Sequence, residues 1–202
     1  MNNPHFRYSK DTYLEGQYSP DYPWFSRVYH HYYHIPYGSK VLDVGCNSGG
    51  LATLLTGRNC EFYGVDIAHH MLLKAISKDK GYQAVQAYGE YLPFSNNIFD
   101  VVVLSEVLEH ADSPGLMASE AVRVLKPGGK ILGDVPTPYG KWGYRSLRKH
   151  KWHRRVFNKW SIRPLFPFPI HISVAPKWST IVSRKSTFFL PQWHTFVGIK
   201  SV

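Results

Sequence analysis

The chain has 202 residues, 44% of them hydrophobic, which is enough for one sizeable core and predicts a single domain over residues 1–202. It has no apolar run of about eighteen residues and no apolar leader, so we expect neither a membrane span nor a secretory signal. Two cysteines do not make a disulfide framework, and we predict a reduced, cytoplasmic protein.

The net charge of +10 is unevenly distributed along the chain. Residues 1–134 contain 11 Lys and Arg and 14 Asp and Glu, whereas residues 135–202 contain 13 Lys and Arg and no acidic residue. A region of such composition favours an anionic partner, so this asymmetry concerns partners and not the fold.

Residues 1–39 are rich in aromatic side chains and histidine. Helical spacing of the aromatics predicts a helix within residues 22–37, and we interpret the segment as an N-terminal cap that either packs on the domain or covers a ligand. His30 and His34 have the i, i+4 spacing of metal ligands, but the sequence offers no third ligand. We therefore predict surface histidines and no metal site.

Residues 40–66 predict a strand, a tight glycine turn, a helix and a second strand. The first apolar run carries Asp43 and breaks into the turn at residues 45–50, and the second run ends on Asp66. Parallel strands joined in this way place a ligand beyond their carboxyl ends, where glycines let the backbone approach it. Asp66 follows the turn at the distance that suits a carboxylate bound to ribose hydroxyls.

Two cofactors fit this strand–turn–helix–strand unit, and they are distinguished by the sign of the charge that each would bring to it. A dinucleotide would place a diphosphate beside Asp43, whereas S-adenosylmethionine brings an ammonium and a sulfonium that carboxylates favour. The turn has asparagine at position 47, where the dinucleotide fingerprint has its second glycine. A turn in an α/β protein without any nucleoside site is the third interpretation.

The alternation of strands and helices continues after Asp66 and predicts a mainly parallel sheet with helices on both faces. Residues 99–104 are apolar enough for a central buried strand. The predicted elements are helices at 71–78 and 114–126 and strands at 83–87, 99–104 and 130–135.

The C-terminal third differs in character. Residues 141–163 alternate basic and aromatic side chains, within a predicted basic aromatic insertion at 138–178. Residues 164–176 are rich in proline, which opposes a regular element and suggests a cap or docking loop. Within the final region, 179–202, residues 180–190 and 195–202 are predicted to be two strands.

Four stretches in this order resemble one family: residues 41–49, 64–67, 89–102 and 123–129. Over residues 38–137 the chain resembles the class I S-adenosylmethionine-dependent methyltransferases, in the broad group that includes ubiquinone- and menaquinone-biosynthesis-type enzymes. The resemblance implies an α/β, Rossmann-like doubly wound seven-stranded sheet, parallel except for an antiparallel last strand. It also implies S-adenosyl-L-methionine as the cofactor and residues 40–137 as the cofactor-binding core.

The resemblance implies a role for each residue of the cofactor site. The glycine turn and Asp43 would hold the methionine part, Asp66 the ribose and Ile67 the adenine. Tyr88 stands where family members often carry the acid that accepts from the adenine amino group. The implied cofactor-binding residues are Asp43, Gly45, Cys46, Asn47, Gly49, Asp66, Ile67, Tyr88, Gly89 and Ser105.

Methyl transfer requires alignment of the reacting atoms, exclusion of water and, for some acceptors, a base. His110 follows the predicted fourth strand and is the catalytic candidate; the alternative is a histidine that only caps or packs the following loop. Glu106 and Glu109 are weaker candidates, expected to face solvent or the cofactor.

Three functions fit the sequence. The leading one is a methyltransferase that acts on O, N or C of a small acceptor, anionic or lipid-linked. The alternatives are an RNA-directed methyltransferase that uses residues 141–163, a segment also suited to an anionic membrane surface, and a catalytically silent cofactor-binding protein. The motifs of amino-adenine and C5-pyrimidine methylation are absent from the sequence.

Overall fold

The computed structural model describes residues 31, 33–78, 81–138, 153–175 and 193–201. They form one seven-stranded sheet in the order β3-β2-β1-β4-β5-β7-β6. The strands are β1 (Lys40–Val44), β2 (Glu61–Asp66), β3 (Gln83–Gln86), β4 (Phe99–Ser105), β5 (Leu125–Pro136), β6 (Ile170–Ala175) and β7 (Trp193–Ile199). Strands β1 to β5 pair in parallel, and β7 runs antiparallel between β5 and β6. The predicted α/β sheet with an antiparallel last strand is confirmed.

Two of the helices, α3 (Pro114–Val124) and α4 (Lys159–Ile162), begin at a side-chain cap. Pro114 occupies the first turn of α3, and the Ser113 side chain accepts a hydrogen bond from the Leu116 N–H at 3.3 Å. The Asn158 side chain caps α4 in the same way, in a reciprocal pair with Ser161. The helices are α1 (Gly50–Leu54), α2 (His69–Lys78), α3 (Pro114–Val124) and α4 (Lys159–Ile162), and a 3-10 turn follows at Arg163–Leu165.

The central strand β4 lies between β1 and β5 and supplies side chains to cores on both faces of the sheet. Val102 and Leu104 lie in the core that includes α3, whereas Val101 and Val103 lie in the core that includes α1 and α2. This alternation explains why residues 101–104 are apolar throughout, since a strand covered on both faces has no solvent side.

One segment differs from the prediction. Residues 164–176 were expected to lack a regular element, but their second half forms β6, which begins at Ile170 directly after Pro169. Among the described strands, β6 lies at the edge of the sheet and pairs with β7, and the prolines before it break no ladder. The predicted strand at 180–190, the helix over most of 22–37, and residues 141–152 lie outside the described residues.

Within the described part of the chain, no helix is long and apolar enough to cross a bilayer.

Gly64, in the middle of β2, has no room for a side chain. A Cβ built there would lie 2.6 Å from Cys46 Sγ and would also overlap the Tyr82 hydroxyl. Both neighbours are buried, so neither side chain can move into solvent.

We expect Gly64→Ala to lower the free energy of unfolding by about 1–3 kcal/mol, because it overpacks a closed core. Urea denaturation measures this value. Gly115→Ala is the matched control, since nothing lies within 4 Å of a Cβ at that helical position. Equal stability of the two variants would contradict the packing described at Gly64.

Candidate functional site

The turn between β1 and α1 has a left-handed backbone at three positions. The φ angles are 75° at Gly45, 51° at Asn47 and 72° at Gly49. A Cβ at Gly45 would lie 2.7 Å from Val107 Cγ2, so this glycine is needed both for its φ angle and for the space it leaves. The Gly45 N–H donates to the Val65 carbonyl at 2.7 Å, which ties the turn to the end of β2.

Asp66 closes the same turn from the second strand. Its Oδ2 accepts from the Asn47 N–H at 2.9 Å, and its Oδ1 accepts from the Ala68 N–H at 2.8 Å. Burial raises the pKa of the Asp66 carboxyl, and these backbone hydrogen bonds oppose the rise. Each carboxylate oxygen has a second lone pair that can accept a hydrogen bond, so the group is suited to bind hydroxyl donors as well.

Asp43 lies next to the end of β1 and is 6% exposed. Burial raises the pKa of Asp43 to about 8, and the carboxylates of Asp66 and Asp134 act in the same direction. A positively charged ligand beside Asp43 would reverse this shift, whereas a diphosphate would increase it. The charge distribution therefore selects a cationic ligand.

Asp134 is the third carboxylate of the site, and our sequence analysis did not identify it. It lies near the end of β5, fully buried, and accepts from Ser105 Oγ at 2.5 Å while pairing with His31 Nε2 at 2.9 Å. A usable signal was present, because Asp134 ends an apolar strand just as Asp43 and Asp66 do.

The chain leaves β4 through a strained residue. Glu106 has a φ of 47°, and its N–H donates to the Asp134 carbonyl at 3.0 Å. A left-handed glutamate persists only where its surroundings enforce it, and such residues cluster at functional sites. The loop that follows is thereby turned across the carboxyl end of the sheet.

The structure brings most of the predicted cofactor residues to this edge. Gly89 packs on the first strand, since a Cβ there would lie 2.9 Å from Val44 Cγ1 and 2.7 Å from Met117 Cε. The Ile67 carbonyl accepts from Gln86 Nε2 at 2.9 Å, and Tyr88 is 38% exposed.

At the carboxyl edge of the sheet, Cys46 can contact a ligand only through its backbone, because its side chain lies in the core beside Tyr82 and Gly64. Burial raises the pKa of the Cys46 thiol, so the group stays protonated.

A second group of polar side chains lies in the loop after β4. The His110 ring is 4.8 Å from the His153 ring, centroid to centroid. Glu109 is fully buried beside them, so the expectation that it faces solvent is wrong. His153 comes from the basic segment and was not singled out by the sequence analysis, because nothing local relates positions 110 and 153.

Comparisons with known proteins agree with this geometry. Residues 42–133 match the family described as methyltransferase domain. A ubiquinone biosynthesis O-methyltransferase of Idiomarina loihiensis is 38% identical over 104 residues, covering 48% of this chain and 42% of that protein. An uncharacterized protein of Methanocaldococcus jannaschii is 39% identical over 99 residues, covering 49% and 45% respectively. The chain thus spans less than half the length of these relatives.

Solved structures share the fold at low identity. A chain from the complex of the Haloferax volcanii Trm112 methyltransferase activator with a proposed methyltransferase superposes with a TM-score of 0.79, at 16% identity and full coverage of both chains. Haemonchus contortus phosphoethanolamine N-methyltransferase 2, in complex with S-adenosyl-L-methionine, gives 0.68 at 17% identity, covering 93% of this chain and 59% of that one.

The sheet order, the glycine turn and the acidic strand ends define an α/β fold of the Rossmann-like methyltransferase type. Residues 42–133 match a methyltransferase domain, and the chain is similar in sequence and in fold to class I S-adenosylmethionine-dependent methyltransferases.

The raised pKa of Asp43 makes stability pH-dependent. Between an unfolded pKa of about 4 and the folded value, the folded state binds more protons, so stability falls as pH rises. We expect the free energy of unfolding to decrease by a few kcal/mol more in the wild type than in Asp43→Asn between pH 5 and pH 9. Urea unfolding at both pH values measures this difference, and equal decreases in the two proteins would contradict the assignment.

Proposed function

We propose that this protein transfers the methyl group of S-adenosylmethionine to a nucleophilic O, N or C atom of a small acceptor, anionic or lipid-linked. The observation that carries the proposal is the group of three buried carboxylates, Asp43, Asp66 and Asp134, around the glycine turn. Such a site favours a ligand with positive charge, and this cofactor has two cationic groups.

The residues present fit the cofactor. Asp43 and the backbone of the turn at Gly45 would hold its methionine part, where the ammonium lowers the pKa of Asp43. Asp66 would accept from the ribose hydroxyls while keeping its bonds to the turn. Ile67 and Tyr88 would lie against the adenine, with Gly89, Asn47, Gly49, Cys46 and Ser105 contributing backbone or packing.

When bound, the cofactor supplies a methyl carbon that bonds to the acceptor as its bond to sulfur breaks and the electron pair stays on the neutral sulfur. The chain's own residues then have to orient the acceptor, exclude water and promote loss of its proton. We assign the last role to His110, because it follows β4 at the carboxyl end of the sheet, where parallel sheets bind their ligands.

The described part of the basic segment favours a small acceptor over RNA. Arg154 forms an ion pair with Asp112, and Arg155 Nη1 donates to the Ala111 carbonyl at 2.6 Å. These side chains hold the segment against the loop after β4, so their charges serve the fold rather than a phosphate backbone.

We expect Asp66→Ala to weaken cofactor binding about 10-fold or more, because it removes a charged acceptor of hydrogen bonds. Asp66→Asn should weaken it as well while filling the same space beside the turn. Calorimetric titration with S-adenosylmethionine measures both affinities.

Glu61→Gln is the matched control, since Glu61 is an exposed carboxylate at the opposite end of the same strand. Unchanged affinity in both Asp66 variants would contradict the ribose role.

We expect His110→Ala to slow methyl transfer by about 10²-fold or more while the affinity for the cofactor stays unchanged, since His110 acts on the acceptor. Initial rates and calorimetry separate the two effects. His171→Ala, an exposed histidine on β6, is the control. A full rate in His110→Ala would remove His110 from the mechanism.

The test of the function as a whole is transfer of a radiolabelled methyl group from the cofactor into fractionated cell extract. Label in a small-molecule or lipid fraction supports the proposal. Label that ribonuclease releases would assign RNA as the acceptor, and cofactor binding without any labelled product would identify a silent binding protein.

A further inference from the structure

We propose that Glu109, His110 and His153 bind a divalent transition-metal cation beside the methyl-transfer site. One carboxylate oxygen and two imidazole nitrogens are available, all within 4.8 Å of one another. This donor set is typical of catalytic sites for zinc and for iron or manganese, in which three protein ligands leave positions open for water or a substrate. The inference deepens the proposed function and rests on it for its catalytic part.

The burial of Glu109 is the first argument. Its side chain is 0% exposed, and an ionised carboxylate at such a depth is costly unless positive charge or hydrogen bonds compensate it. The two histidines beside it, His110 and His153, are partly buried and bind cations in their neutral form. A divalent cation between the three groups would place positive charge next to the carboxylate, and the two rings would complete its coordination.

The second argument is that the backbone brings the three residues together. The Arg154 N–H, next to His153, donates to the Glu109 carbonyl at 3.1 Å, and Arg155 Nη1 donates to the Ala111 carbonyl at 2.6 Å. The Phe157 N–H donates to the Pro136 carbonyl at 3.0 Å. Three hydrogen bonds thus hold the segment around His153 on the loop after β4 and on the end of β5.

Two arginines follow His153, and the charge of one of them is paired with an acid. Arg154 is paired with the Asp112 carboxylate, and Arg155 is directed to backbone carbonyls. Ligand atoms on a tetrahedral ion lie about 3.4 Å apart, so ligand atoms now up to 4.8 Å apart have to approach one another by up to about 1.4 Å when the ion binds. Side-chain rotation accounts for a change of this size.

A cation at this place explains how His110 promotes loss of the acceptor proton. An acceptor hydroxyl that takes an open position on the ion has a lowered pKa, and its proton passes to solvent before the oxygen attacks. His110 then acts as a ligand. The proposal therefore narrows the acceptor to an oxygen nucleophile.

The experiment is calorimetric titration of chelator-treated protein with Zn²⁺ and, separately, with Mn²⁺. We expect one ion per chain in the wild type, a thermal midpoint that rises with ion concentration, and affinity lost by about 100-fold in His153→Ala and Glu109→Gln. His171→Ala is the control for surface histidines. The circular dichroism of each variant shows whether it has folded.

A purely structural cluster gives a different result, in which the variants lose stability but neither ion binds saturably to the wild type. That result, or equal binding by the wild type and His153→Ala, overturns the proposal. The readout is independent of methyl transfer. Ion binding without labelled product would refute the proposed function alone, and full transfer in chelator would refute the catalytic role of the ion alone.

Discussion

Three carboxylates lie buried where β1, β2 and β5 reach the same edge of the sheet. The rest of the site depends on the interactions that reduce the repulsion between them. Asp66 accepts two backbone N–H groups, and Asp134 accepts from Ser105 and pairs with His31. For Asp43, burial and the two neighbouring carboxylates raise the pKa to about 8. Like charges held in a low dielectric are costly, so a site that gathers three carboxylates is suited to a cation.

The strand order creates a crevice for a cationic ligand beside these carboxylates. Because β1 has β2 on one side and β4 on the other, the chain leaves these strands in opposite directions and a crevice opens at their carboxyl ends. The glycine turn forms one wall and the loop after β4 forms the other. Val107 fills the space that a side chain at Gly45 would need, so the two walls are fitted to each other.

Much of the fold was predictable because its signals are local. Residues 101–104 are apolar throughout since both faces of β4 are covered, and the turn at 45–50 needs small residues for its backbone angles. The prediction failed at β6, where proline-rich sequence was interpreted as a loop. Local composition does not reveal that a strand will lie at the edge of a sheet, where proline before it is tolerated.

The sequence by itself determined the strand–turn–helix–strand unit and the acids Asp43 and Asp66, because each depends on neighbours within a few residues. Only the tertiary structure decided that Asp134 meets His31, 103 residues away, and that His110 meets His153. Strand order and the docking of the basic segment create these contacts. No local pattern encodes these contacts, because they form only when segments far apart in the sequence bury apolar surface against one another.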